Sequence, residues 1–210
     1  MVECFIVGAP KAGTTSVYDY LVQNGYYSRL FWKEPNYFCH DEYNSDFVRE
    51  VRRRGDRHYS IVETKEKYLR GVEKGQEYID SSTDYLLSKG AHKRIAAYNP
   101  NAKIIICLRD PIERAISQFQ MHSSLGLMKE SFSDALNRSI VEYHEFGGRL
   151  DSRFNLFAAS NYFPGIENYI TTFGRENVHL IIFERLVAAP EEQLIKLLKF
   201  LGKSDSKTTL

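Results

Sequence analysis

Gly8-Ala9-Pro10-Lys11-Ala12-Gly13-Thr14-Thr15-Ser16 gathers glycines, a lysine and consecutive hydroxyl side chains into one short stretch. A glycine loop that turns into a helix start aims successive backbone N–H groups and the positive end of a helix dipole at one point. That is the chemistry of a phosphate or sulfate site. Lys11 adds a full charge inside the loop, and Thr14, Thr15 and Ser16 add donors at the helix mouth. The spacing is not that of a nucleoside-triphosphate loop, which asks for Gly, four residues and then Gly-Lys-Ser/Thr. Gly8 and Gly13 keep that interval, but Thr14 stands where the lysine belongs and the lysine has moved to position 11. There its ammonium lies beside a ligand's inner phosphate instead of reaching along a triphosphate tail. The plain alternative is a glycine turn with an incidental lysine.

A second cluster is Leu108-Arg109-Asp110-Pro111-Ile112-Glu113-Arg114, with Ser117 just beyond. Asp110 reads as a helix N-cap, Pro111 as the first helical position and Glu113 as the partner in a capping box, so Asp110 needs no metal to explain it. Arg109 is left at the end of an apolar run, and Ser117, two turns into the helix, faces the same volume. A planar fork of guanidinium donors plus a hydroxyl suits a phosphate monoester dianion; the alternative is a surface arginine and a helix serine. The third candidate is Glu34 in Lys33-Glu34-Pro35-Asn36-Tyr37-Phe38. Pro35 disfavours helix at Glu34, which puts the carboxylate on extended or turning backbone. Lys33, Tyr37 and Phe38 either wall it from water or leave it as half of a solvated Lys–Glu pair, and spacing alone favours the solvated pair.

These motifs together resemble those of a known family. Pro-Lys-x-Gly-Thr-Thr at residues 10–15 is similar to the 5′-phosphosulfate loop of sulfotransferases, which use 3′-phosphoadenosine 5′-phosphosulfate (PAPS). Leu-Arg-Asp-Pro-x-x-Arg-x-x-Ser, their 3′-phosphate signature, is matched by Arg109, Asp110, Pro111, Arg114 and Ser117 without a gap. Lys33, Glu34, Tyr37 and Phe38 match a Lys-Glu-x-x-Phe/Tyr-Phe segment of the glycosaminoglycan sulfotransferases in type, order and distance. The chain thus resembles the PAPS-dependent sulfotransferase superfamily, closest in motif to its carbohydrate (heparan/glycosaminoglycan-type) members.

The resemblance implies sulfuryl transfer from PAPS, as co-substrate and without a metal, to a hydroxyl or amine of a carbohydrate acceptor. It assigns the 5′-phosphosulfate to Lys11, Ala12, Gly13, Thr14 and Thr15, and the 3′-phosphate to Arg109 and Ser117. Lys11 then offsets charge on the bridging oxygen, Lys33 steadies the transferring group and Glu34 takes the acceptor's proton. Two departures stand out. Asp80, Ser82 and Tyr85 fit the family's acidic-Lys-Ser/Thr-Pro-x-Tyr stretch, but Ser81 replaces the lysine and Thr83 the proline, which weakens a heparan acceptor. After Phe200-Leu201-Gly202 the chain runs only to Leu210, where the family continues into a loop over the nucleotide. A nucleotide kinase of the P-loop fold and a non-catalytic nucleotide-binding protein are the competing readings.

The elements that must position these groups are legible as alternating strand and helix patterns. Strands are expected at 4–7, within 77–86, at 103–108 and at 178–183. Helices are expected with Val17, Tyr20 and Leu21 inward; with Ala91, Ile95, Ala96 and Tyr98 before Pro100; from Pro111; from Ser160 to Gly174; and after Pro190 with Leu194, Leu197 and Leu198 inward. This order predicts an α/β, three-layer P-loop-like fold, a central parallel sheet flanked by helices, with the site at the carboxyl ends of the strands. His122 reads as a helix-end residue or as one approaching the acceptor cleft. Arg52-Arg53-Arg54 reads as a solvated helix end or an acidic-substrate contact, and residues 124–160, with Gly147-Gly148-Arg149 and Arg153, as a variable-looking stretch where acceptor contacts could lie.

Bulk properties set the outer bounds. With 210 residues, 43% hydrophobic and 26% charged, the expectation is one domain spanning 1–210. A net charge of +1 gives no global attraction to nucleic acid, so an anion site has to be local. Cys4 and Cys107 lie in apolar runs, and Cys39-His40 has no second pair at metal spacing, which argues against a disulfide framework and a zinc site. The absence of a signal-peptide or membrane-span pattern gives a cytoplasmic expectation. The expected partners are a small-molecule nucleotide and a carbohydrate acceptor.

Overall fold

The computed structural model describes residues 1–54, 60–147, 150 and 155–203. In chain order its strands are β1 (Val2–Gly8), β2 (Ser28–Arg29), β3 (Tyr78–Asp80), β4 (Lys103–Leu108) and β5 (Val178–Ile182). The helices are α1 (Thr14–Gln23), α2 (Ser45–Arg54), α3 (Lys65–Tyr68), α4 (Ala91–Tyr98), α5 (Pro111–Ser124), α6 (Phe132–Phe146), α7 (Phe163–Phe173), α8 (Phe183–Ala188) and α9 (Pro190–Phe200). The strands form one sheet in the order β2-β3-β1-β4-β5, with every pairing parallel. The expected α/β architecture, a central parallel sheet flanked by helices, is therefore what the chain adopts.

β1 and β4 are the middle strands because their sequences are apolar on both faces. Phe5, Ile6, Val7, Ile104, Ile105 and Ile106 are all fully buried, as a parallel strand covered by helices on both sides requires. The chain leaves β1 toward β3 and β2 on one side, and leaves β4 toward β5 on the other. The connections diverge between β1 and β4, and in open α/β sheets the crevice at the carboxyl ends of such strands is where ligands bind. Register brings the motifs to that edge. Gly8 is paired with Ile106, and the Ala9 N–H donates to the Cys107 carbonyl at 2.7 Å. Leu108 is paired with Ile182, so Arg109 and Phe183 emerge side by side from adjacent strands.

Local chemistry explains the element boundaries, with two differences from expectation. Asp110 caps α5, its carboxylate accepting from the N–H groups of Ile112 at 2.9 Å and Glu113 at 3.0 Å, and Pro111 opens the helix. The capping box is not made, however. The Asp110 N–H donates to Glu184 at 2.9 Å, and Glu113 turns instead to Arg109 at 3.5 Å. Within residues 124–160, to which the sequence pattern assigns no element, α6 forms from Phe132, capped by the Ser131 hydroxyl accepting from the Asp134 N–H at 3.2 Å. Gly148, Arg149 and Arg153, and the expectation about a covering loop beyond Gly202, lie outside the described residues. So do the side chains of Arg52 and Arg54, while Arg53 is exposed. No helix among the described residues is long and apolar enough to cross a membrane.

Candidate active site

The loop after β1 is wound too tightly for side chains at its two glycines. A Cβ on Gly8 would stand 2.6 Å from the Leu86 Cβ, and one on Gly13 would stand 2.8 Å from the Phe183 ring. Gly13 also has φ +84, and Lys11 between them has φ +67, so the chain reverses its curvature twice before α1 begins. Gly13 is the N-cap and supplies no side-chain cap. The first-turn N–H groups of α1 have no intrahelical acceptor and open into the crevice as an anion cradle. Ala12 is fully buried and Thr14 nearly so, while Thr15 is exposed at the helix mouth. The Lys11 ammonium lies 3.5 Å from the Met121 sulfur on α5.

Lys33 closes the mouth from the other side. Its ammonium donates to the Thr15 hydroxyl at 2.9 Å and lies 5.8 Å from the centre of the Tyr18 ring. The segment carrying Lys33 and Glu34 is thereby docked on the first turn of α1. Glu34 is half-buried and accepts from the Thr83 hydroxyl at 3.2 Å. Burial, reinforced by the neighbouring Asp84 carboxylate, pushes its carboxyl up to about 7, against the opposing pull of Lys33 and Thr83. This is not a solvated Lys–Glu pair: lysine and glutamate face different partners. Phe38 is buried edge-on to Phe5, and Tyr37 stacks on Tyr68 with centroids 4.6 Å apart, which anchors the segment to the core.

On the β4 side, the Arg109 guanidinium sits 4.9 Å from the centre of the Phe183 ring and reaches the Lys11 carbonyl at 3.5 Å. Its only acidic partner among the described residues is the exposed Glu113, so most of its donors remain available to an anion. The Ser117 hydroxyl is partly exposed and makes no hydrogen bond among the described residues. Arg114 of the same motif has a different task. It is fully buried and donates to the Ser160 hydroxyl at 2.8 Å, the Gln118 side chain at 2.6 Å and the Leu156 carbonyl at 2.7 Å. It clamps the segment before α7 onto α5, and burial lowers its pKa to about 10. His122 is half-buried; burial and the positive charges of Lys11 and Arg114 lower its pKa and favour the neutral ring.

The crevice thus collects Lys11, Ala12, Gly13, Thr14 and Thr15 from the first loop, with Lys33 on that loop through Thr15. Arg109 reaches the same loop from β4, and Ser117 follows on α5. Sequence reasoning missed Phe183, Thr83 and Tyr162, whose hydroxyl donates to the Arg109 carbonyl at 2.9 Å. The apolar pattern of residues 178–183 makes Phe183 the end of a strand, whereas it opens α8. The glutamate after it, Glu184, was the visible signal of a helix start.

The sulfotransferase domain family matches the chain over residues 3–210. The chain belongs to the sulfotransferase family. Among curated proteins, the chain is 24% identical to mouse heparan sulfate glucosamine 3-O-sulfotransferase 3A1 over 202 residues, covering 95% of the chain and 45% of the relative. It is 27% identical to mouse heparan sulfate glucosamine 3-O-sulfotransferase 3B1 over 129 residues, 61% of the chain and 32% of the relative. The chain therefore spans half or less of the length of these relatives. Among solved structures, a sulfotransferase from Alicyclobacillus acidocaldarius superposes with a TM-score of 0.84 at 25% identity, over 100% of this chain and 86% of that one. A mouse sulfotransferase, SULT7A1, complexed with PAP (3′-phosphoadenosine 5′-phosphate), shares the fold at a TM-score of 0.59 and 15% identity, over 97% and 58%.

Proposed function

We propose that the protein transfers the sulfuryl group of PAPS to a hydroxyl or amine of a carbohydrate acceptor by in-line displacement. The observation that carries the reading is the Lys33–Thr15 contact, because it docks the segment bearing a half-buried carboxylate on the mouth of an anion cradle. The residues present suit the nucleotide. The cradle is kept open by glycines at which a Cβ would run into Leu86 or Phe183, and Arg109 offers its fork one strand away.

In the proposed reaction the backbone N–H groups of residues 11–15 and the α1 dipole hold the 5′-phosphosulfate. PAPS supplies an activated sulfuryl group. Glu34 accepts the acceptor's proton as the acceptor oxygen or nitrogen bonds to sulfur, and a carboxyl titrating at about 7 is well matched to a base working near neutrality. Lys11 stabilises the negative charge left on the bridging oxygen when the sulfur–oxygen bond breaks and PAP departs. Lys33 holds the transferring group in line from the opposite side. Arg109 and Ser117 grip the 3′-phosphate and separate PAPS from nucleotides that lack it. The carbohydrate class of the acceptor rests on the Lys33-Glu34 segment and on the curated relatives named for heparan sulfate glucosamine. Cytoplasmic placement rests on Cys4, Cys39 and Cys107, all free and buried.

Calorimetric titration with PAP, against ADP and against ATP with and without magnesium, tests the reading. The expected result is binding that needs the 3′-phosphate and no metal. A preference for ATP with magnesium would replace the proposal with a kinase, and PAP binding without sulfuryl transfer to any acceptor would replace it with a nucleotide-binding protein.

A further inference from the structure

Resting on the reading of Glu34 as base, we infer that Asp80, at the end of β3, is a positioning residue that holds the Glu34 segment in reacting geometry through Ser82 and Tyr85. The Asp80 carboxylate is fully buried and is the hub of a closed set of hydrogen bonds. One oxygen accepts from the Ser82 N–H at 3.0 Å and the Ser82 hydroxyl at 2.7 Å. The other accepts from the hydroxyls of Tyr85 at 2.9 Å and Tyr68 at 3.1 Å.

Two of those hydroxyls look outward as acceptors, and both face the same segment. The Ser82 hydroxyl takes the Asn36 N–H at 3.0 Å, and the Tyr85 hydroxyl takes the Phe38 N–H at 3.3 Å. Each hydroxyl has one proton. Because that proton is spent on Asp80, its lone pairs are turned toward the backbone N–H groups two and four residues beyond Glu34. Asn36 has φ +50, a backbone state that persists only where its surroundings fix it. The same short stretch that follows Asp80 also brings Thr83, whose hydroxyl donates to the Glu34 carboxylate at 3.2 Å.

A neutral acid in place of the carboxylate would carry its own proton into this set and force a hydroxyl to turn. Burial raises Asp80 to about 6, so the four donors hold it ionised at neutral pH only narrowly. Among the described residues, the hydrogen bonds of this network run to the Glu34 segment and none runs to residues 11–15 or to Arg109. Its influence on catalysis therefore runs through Glu34, and loss of alignment at a reacting group costs on the order of a hundredfold in rate.

A double-mutant cycle tests this. Release of PAP from PAPS is measured with desulfated heparin as acceptor and with water alone, for the native chain, Asp80→Asn, Glu34→Gln and the double variant, with PAP affinity measured for each. The expected result is a fall of about 10- to 100-fold in kcat for Asp80→Asn, PAP affinity within about twofold, and no further loss when Asp80→Asn is added to Glu34→Gln. Ser82→Ala, which removes one spoke and keeps the hub, runs the same cycle if Asp80→Asn does not fold. Unchanged kcat in Asp80→Asn, or an equal loss in the presence and absence of Glu34, overturns the inference and leaves the base reading standing. Full activity in Glu34→Gln overturns both.

Discussion

Glu34 concentrates the testable chemistry at the scale of single residues. As a base it works only when ionised, so transfer should rise with pH through about 7, and Glu34→Gln should lose at least about a hundredfold in turnover while PAP still binds. The same group leaves a signature in stability. Its pKa is raised from 4.5 in the unfolded chain to about 7 in the fold, so the native state holds the extra proton between those values. Stability from this group is therefore full below about pH 4.5, is lost as pH rises toward 7, and the penalty stays constant above it. Thermal melts should show Glu34→Gln more stable than the native protein at pH 8 by on the order of 3 kcal/mol, with the difference vanishing below about pH 4.5. Arg109→Ala should weaken PAP by about 10- to 100-fold and leave ADP almost unchanged, a contrast that calorimetry reads directly.

Among the elements, the loop between β1 and α1 and the joint between β4 and α5 were plain in the sequence because each carries several local signals at once. Glycine spacing, a prolyl first turn and an aspartyl cap all agree there. What could not be read was set by partners distant in sequence. Glu113 looked like a capping-box residue, yet Glu184 reaches the Asp110 N–H from a separate helix and frees Glu113 for Arg109. Glu34 looked solvated because the Thr83 and Asp84 that enclose it lie far along the chain. The α6 helix was legible but unassigned: Phe132, Ala135, Leu136, Ile140 and Tyr143 follow the Ser131 cap at helical spacing. Gly13→Ala tests the loop itself. A methyl group there meets Phe183 and the backbone sits at φ +84, so about 1–3 kcal/mol of stability should go in denaturant titrations, together with PAP binding.

At the scale of the molecule, the strand order decides where function sits. The cradle and Glu34 belong to residues before α4, whereas Arg109 and Ser117 come after it, and the two sets meet only because β1 and β4 are neighbours. The net charge of +1 gives almost no long-range field, so these converging groups supply the anion selectivity locally. PAP at about 100 times its Kd should add about 2.7 kcal/mol to unfolding, read as a raised Tm that Arg109→Ala reduces. The division of the site across the β1–β4 seam has a mechanical meaning as well. A ligand gripped at one end by the first half of the chain and at the other by the second is a cross-strut. Pulling the termini apart should meet a higher rupture force with PAP bound, and the increment should disappear when either grip is removed.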